Sequence, residues 1–193
     1  MKSEQRRKKL LTVLSRRQPD LTIVMENIHD PHNVSAMFRS ADAVGIAQVQ
    51  LLYTKEKFPK IGKKSSSSAN KWVEQRKFAS VEECYTQLRK EGFFILATRL
   101  DEQAYSIYSY DLASPIALVF GNEHSGVSEE AAALADAKVM IPMVGMIQSL
   151  NVSVACGVCL FEALRQRLQA GKYEKPSFPQ KQLHALYGEW LEK

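Results

Sequence analysis

Short apolar runs alternate with stretches of helical periodicity along most of this chain. LTIVME (21–26), AQVQLLY (47–53), FFILATRL (93–100), IALVFGNE (116–123) and KVMIPM (138–143) have the length and character of buried strands. Helices are expected over about 33–44, 80–91, 127–135 and 149–170. In the first of these, Val34, Met37, Phe38, Ala41 and Val44 recur at helical spacing; Asp30-Pro31 or Asn33 can start it and Gly45 can end it. Such alternation predicts an α/β fold with a mostly parallel sheet covered on both faces. Residues 3–16 and 180–192 also read as helices, but outside the alternation. The second carries Leu183, Leu186, Tyr187, Trp190 and Leu191 along one side, suited to packing on its own core or on another subunit. The segment 170–180 links it to the core.

A length of 193 residues fits one domain with a real core. No apolar run approaches the roughly 18 residues of a membrane span, and the basic N-terminus lacks the apolar stretch of a signal peptide. A soluble, cytoplasmic protein with no membrane partner is expected. Cys84, Cys156 and Cys159 are odd in number and form no disulfide framework. The Cys156-x-x-Cys159 pair sits in a predicted helix, without a second pair or a nearby histidine to complete a zinc tetrahedron. It reads as two small core residues, and no metal is expected.

Charge is distributed unevenly. Residues 1–20 hold seven Lys/Arg against two Asp/Glu, and residues 54–77 hold eight against two. Residues 78–164 invert the balance, with four basic against eleven acidic, and 165–193 return to six against three. Basic head, loop and tail around an acidic middle suit a core that grips a polyanion from outside, nucleic acid first among them. The serine tract at 65–68 beside lysines suits a loop approaching phosphates.

In α/β sheets ligands bind beyond the carboxyl ends of strands. The turns found there are ENIHDPHN, GNEHSG and VGMIQSLNVS. None contains the glycine-rich signatures of dinucleotide or P-loop nucleotide binding. Asn33, Glu123, Ser149 and Asn151 lie in or near these turns. Taken singly, each could merely cap a helix. Arg39 falls about 140° around its helix from Val34, at ~100° per residue, and so away from the apolar side. His29 and His32 flank the same turn, but no Gly-x-Ser-x-Gly elbow accompanies them.

Three stretches together, RRQPDLTIVMENIHDPHNVSAMFRSADAVG, LVFGNEHSGVS and IPMVGMIQSLNVSVACGVCLFEALR, resemble the three ordered motifs of the SpoU family of SPOUT RNA 2′-O-methyltransferases. The match covers roughly residues 16–169. The resemblance implies a parallel α/β sheet of five or six strands with a C-terminal deep trefoil knot, flanked by N- and C-terminal helices. It implies S-adenosylmethionine as cofactor, held at Thr98, Leu100, Gly121, Ile141 and Leu150, largely through backbone groups. It also implies a homodimer whose active site draws on both subunits, with Asn33, Arg39, Glu123, Ser149 and Asn151 as catalytic positions. The RRQPDLT entry and basic terminal helices most resemble members that act on guanosine 18 of tRNA. On that basis residues 1–17 form a tRNA-binding helix, 18–170 the methyltransferase core, and 171–193 a linker and helix for tRNA or dimer contacts. Ribosomal RNA, another tRNA position, or a non-catalytic RNA-binding role are the competing expectations.

Overall fold

The computed structural model describes residues 3–55, 57–59 and 69–193. Lys60, Lys63, Lys64 and the serine tract at 65–68, expected to approach phosphates, lie outside the described residues. Seven strands form one sheet: β1 (Leu21–Glu26), β2 (Gln48–Leu52), β3 (Glu74–Phe78), β4 (Phe94–Thr98), β5 (Tyr105–Ser106), β6 (Ile116–Phe120) and β7 (Ala137–Met140). Their order is β3-β2-β1-β6-β4-β7-β5, and each pairing is parallel. The central strands β1 and β6 are buried on both faces and therefore read as unbroken apolar runs.

The sheet is wider than the expected five or six strands because of its two edges. β3, with sequence EQRKF, is a polar edge strand with only Phe78 buried, and β5 is two residues long. Neither carries an apolar run, because an edge strand with a solvated face needs none.

Alternation along the strands sends side chains into two cores. Ile23, Met25, Val49, Leu51, Leu96 and Leu118 meet α2 (Pro31–Ala43) and α5 (Val152–Gln169). Val24, Leu52, Ile95, Ala97, Ala117 and Val119 meet α3 (Val81–Lys90) and α4 (Glu129–Leu134). Cys84, Cys156 and Cys159 are buried free thiols in these cores, as expected. Burial pushes the Cys159 thiol up to about 12, which leaves it inert.

Local chemistry sets the helix ends. Asp30 caps α2 by accepting from the His32 N–H at 2.7 Å, with Pro31 in the first turn. Gly45 follows the helix at φ +86°, where a Cβ would stand 2.7 Å from the Arg16 carbonyl oxygen, so the turn requires glycine. α5 starts three residues later than expected, because Asn151 caps it by accepting from Ser153 N and Val154 N. Its far end is fastened by Arg167, fully buried, which donates to Gln18 Oε1, Asp20 Oδ1 and the carbonyls of Asp20, Leu112 and Ser114.

The terminal helices α1 (Glu4–Ser15) and α6 (Gln180–Glu192) pack on each other. Leu10, Leu14 and Trp190 form a third small core with Trp72, Leu183, Leu186, Tyr187 and Leu191. Each such side chain contributes about 2 kcal/mol when removed from water. The apolar side of α6 is thus met within its own chain. Arg6, Arg7, Lys8 and Lys9 remain exposed on α1. Among the described residues, no helix is long and apolar enough to cross a membrane.

Candidate functional site

The site lies beyond the carboxyl ends of β1, β4, β6 and β7. A cleft of about 600 Å³ opens there, within the ~300–1,000 Å³ typical of small-molecule sites. Thr98, Leu100, Gly121, Ile141 and Leu150 all line it, together with Glu123, Ser149 and Asn151. Thr98 donates its hydroxyl to the Val119 carbonyl at 2.7 Å, which ties β4 to β6 at the cleft wall. Gly121 is obligatory. A Cβ there would lie 2.0 Å from the Gly126 carbonyl carbon, since the 121–127 loop folds tightly over it through the Gly126 N–H to Asn122 O bond of 2.8 Å.

Three expected catalytic residues form one hydrogen-bonded chain across the cleft wall. Glu123 accepts from His29 N at 3.0 Å on Oε2, and from Asp30 N at 3.0 Å and Asn33 Nδ2 at 2.9 Å on Oε1. Asn33 Oδ1 in turn accepts from Asn151 Nδ2 at 3.0 Å. The turn after β1, the loop after β6 and the start of α5 are thereby tied together. Burial acts to raise the Glu123 pKa, but the donors from Asn33, His29 and Asp30 outweigh it and hold the carboxyl below its ordinary value.

The other two expected catalytic residues stand apart from this chain. Ser149 is exposed on the cleft wall and makes no hydrogen bond to another described residue. Arg39 is exposed on α2, makes no hydrogen bond or ion pair among the described residues, and does not line the cleft. It lies six residues beyond Asn33, about 9 Å along the axis and roughly 120° around it. Within one chain, Arg39 and the cleft belong to different faces.

Sequence reasoning missed Asn27 and Asn122. Asn27 turns the chain after β1 in a left-handed conformation, φ +49°, which asparagine tolerates better than most residues. Its carbonyl accepts from Asn122 Nδ2 at 2.8 Å, and its Oδ1 accepts from Thr54 N and Lys55 N. An asparagine directly after a buried strand is the signal that could have found it. The segment 143–150 carries nearly or largely exposed Val144, Met146 and Ile147, and α5 exposes Val154, Phe161 and Leu168.

Comparison with known proteins agrees with this geometry. A model of the SpoU rRNA methylase family matches residues 20–161. The chain is 45% identical over 192 residues to the tRNA (guanosine(18)-2′-O)-methyltransferase of Thermus thermophilus, covering all of this chain and 98% of that protein. The crystal structure of the A. aeolicus TrmH/SpoU tRNA modifying enzyme superposes with a TM-score of 0.91 at 38% identity, over 97% of this chain and 95% of that one. The SpoU methyltransferase AviRb of Streptomyces viridochromogenes, solved with the cofactor AdoMet, matches at a TM-score of 0.67 and 26% identity over 80% of this chain and 62% of its own. With its motifs, its parallel sheet and its cleft all in agreement, the chain belongs to the SpoU rRNA methylase family.

Proposed function

We propose that this protein transfers the methyl group of S-adenosylmethionine to a ribose 2′-hydroxyl of tRNA, at guanosine 18. The observation that carries the reading is the cleft itself, lined by every residue the resemblance assigned to the cofactor and walled by the Glu123–Asn33–Asn151 chain. The name of the Thermus thermophilus relative supports the target. Such work belongs in the cytoplasm, where tRNA is found.

The cleft suits the cofactor. Its volume matches a nucleoside-sized ligand, and Ile141 and Leu150 offer apolar walls for an adenine ring. When bound, S-adenosylmethionine supplies a methyl carbon activated by its positively charged sulfur. The protein's own task is to present a ribose oxygen in line with that carbon and to ease the loss of its proton. Arg39 is suited to the second task as a cation rather than a base, since a guanidinium does not surrender its proton near neutral pH. It can hold the adjoining phosphate through two N–H groups and stabilise charge building on the oxygen, an effect worth about 3 kcal/mol or more. Asn33 and Asn151, held by Glu123, fix the turn against which the ribose rests. Ser149, with no hydrogen-bond partner among the described residues, is left available to substrate.

Arg39 reaches a cleft only if a second copy supplies it, and this supports a homodimer. Val154, Val158, Phe161, Arg165 and Leu168 recur along α5 at alternating spacings of four and three, and Val154, Phe161 and Leu168 are exposed. Val144, Met146 and Ile147, in the segment before α5, are exposed as well, and large apolar side chains left open to solvent in this number mark an interface. A deep trefoil knot is supported by the strand order. β7 inserts between β4 and β5, strands already joined by residues 99–104, and Arg167 then fastens the following helix to residues 112–114. Pulling the two ends of a knotted chain apart should give an unfolded contour shorter than its length allows; a full-length contour removes the knot.

The deciding experiment incubates the protein with methyl-labelled cofactor and bulk tRNA and maps the alkali-resistant linkage. Label on the ribose of guanosine 18 is expected, and Arg39→Ala should lose it while keeping fold and dimer. Label on a base, on another tRNA position, or only on ribosomal RNA overturns the assignment.

A further inference from the structure

A second recess, of about 100 Å³, shares a wall with the cofactor cleft: Asn122, Ser125 and Gly126 line both. Its other sides include Glu26, Asn27 and Lys55. Glu26 ends β1 with only 2% of its surface exposed. Its Oε2 accepts from Ser128 N at 3.0 Å, while its Oε1 has no hydrogen-bond partner and the carboxylate no ion-pair partner among the described residues. A carboxylate with a single N–H donor keeps acceptor capacity for a further donor. The rest of the strand is largely apolar, so an apolar residue would serve packing better at this position. Lys55 is held at the edge of the recess because Asn27 Oδ1 accepts from the Lys55 N–H at 3.2 Å, in the strained left-handed turn that follows Glu26.

The recess thus offers acceptor capacity at its base and a cationic donor at its rim, one loop away from the site of methyl transfer. It is too small for a nucleoside and large enough for the edge of a base. We propose that it receives the Watson–Crick edge of the target guanine, with Glu26 accepting from N1–H and the N2 amino group and Lys55 donating to O6. Oε1 is open, and Oε2 keeps a lone pair after bonding to Ser128. Adenine would turn its N1 lone pair toward the carboxylate, acceptor against acceptor, and is excluded. This inference rests on the ribose-methyltransferase reading above, in which the sugar sits at the cleft and the base must lie nearby.

Glu26→Gln tests it without changing side-chain size. The Ser128 N–H needs an acceptor, so the amide oxygen stays on it and the amide NH2 turns into the recess. That group opposes the donors of guanine and matches N1 of adenine. Two transcripts of one tRNA, with guanosine or adenosine at position 18, are methylated by wild-type and Glu26→Gln protein, and kcat/KM is compared. Wild type should prefer guanosine, and the variant's guanosine-to-adenosine ratio should fall at least about tenfold, with melting temperature and cofactor affinity unchanged. A merely structural Glu26 would leave the ratio where it was. An unchanged ratio, or a wild type that accepts both transcripts equally, overturns the inference; failure of wild type on the guanosine transcript overturns the functional reading instead.

Discussion

Glu123 shows how one residue can carry both stability and site geometry. Three donors converge on its carboxylate, two of them backbone N–H groups from the turn after β1. Burial pushes its pKa up and these hydrogen bonds bring it below the ordinary value, so the folded state binds its proton less readily than the unfolded chain. The stability it contributes is therefore complete above the ordinary carboxylate range and is lost as pH falls through the lower, folded value. Glu123→Gln has one oxygen for three donors and should cost about 1 kcal/mol for each donor left short. Urea unfolding of both proteins at pH 7 and at pH 3 should show the gap at pH 7 and its narrowing at pH 3. The sequence marked Glu123, Asn33 and Asn151 as polar residues in turns. It could not show them bonded, because the partners are separated by 90 and 118 positions and meet only when β1, β6 and α5 are in register.

At the scale of elements, α1 divides its two faces between two tasks. Leu10 and Leu14 hold Trp190 and anchor α6, while Arg6, Arg7, Lys8 and Lys9 face solvent. Removing the helix would expose the Trp190 cluster as well as delete charge. Replacing the four basic residues with glutamine isolates the charge. If they touch tRNA phosphates, affinity for tRNA should fall at least about tenfold at low salt, and the salt dependence of log K should flatten by roughly 0.7–0.9 for each phosphate no longer neutralised. Cofactor affinity should not change. Titrations of tRNA across a salt series, alongside cofactor calorimetry, check both. The periodicity of α1 and α6 was legible in the sequence, but their mutual packing was not, since an apolar face does not name its partner. β3 escaped for a related reason: EQRKF on an edge has one buried side chain and so no apolar pattern to read.

For the whole molecule, the separation of Arg39 from the cleft is the feature that most constrains how the protein works. If the exposed seam of α5 closes a dimer, Phe161→Glu places two buried charges in the interface and should yield a folded monomer. Sedimentation should show the change in mass. Methyl transfer should fall at least about a hundredfold, because no partner would bring Arg39 to the ribose. A Phe161→Glu protein that stays dimeric removes this seam from the interface.

Hydrophobic period by itself determined the five apolar strands, the six α-helices of the described residues and the two-faced burial of the sheet, because burial repeats every two or 3.6 residues and is written locally. The ordered motifs determined the family. Only the tertiary structure decided the strand order, the polar edge strands β3 and β5, the union of Glu123 with Asn33 and Asn151, and the orientation of Arg39 away from its own cleft. Hydrogen bonds between turns depend on which strand ends become neighbours, and that neighbourhood is set by packing across the whole sheet rather than by any stretch of chain.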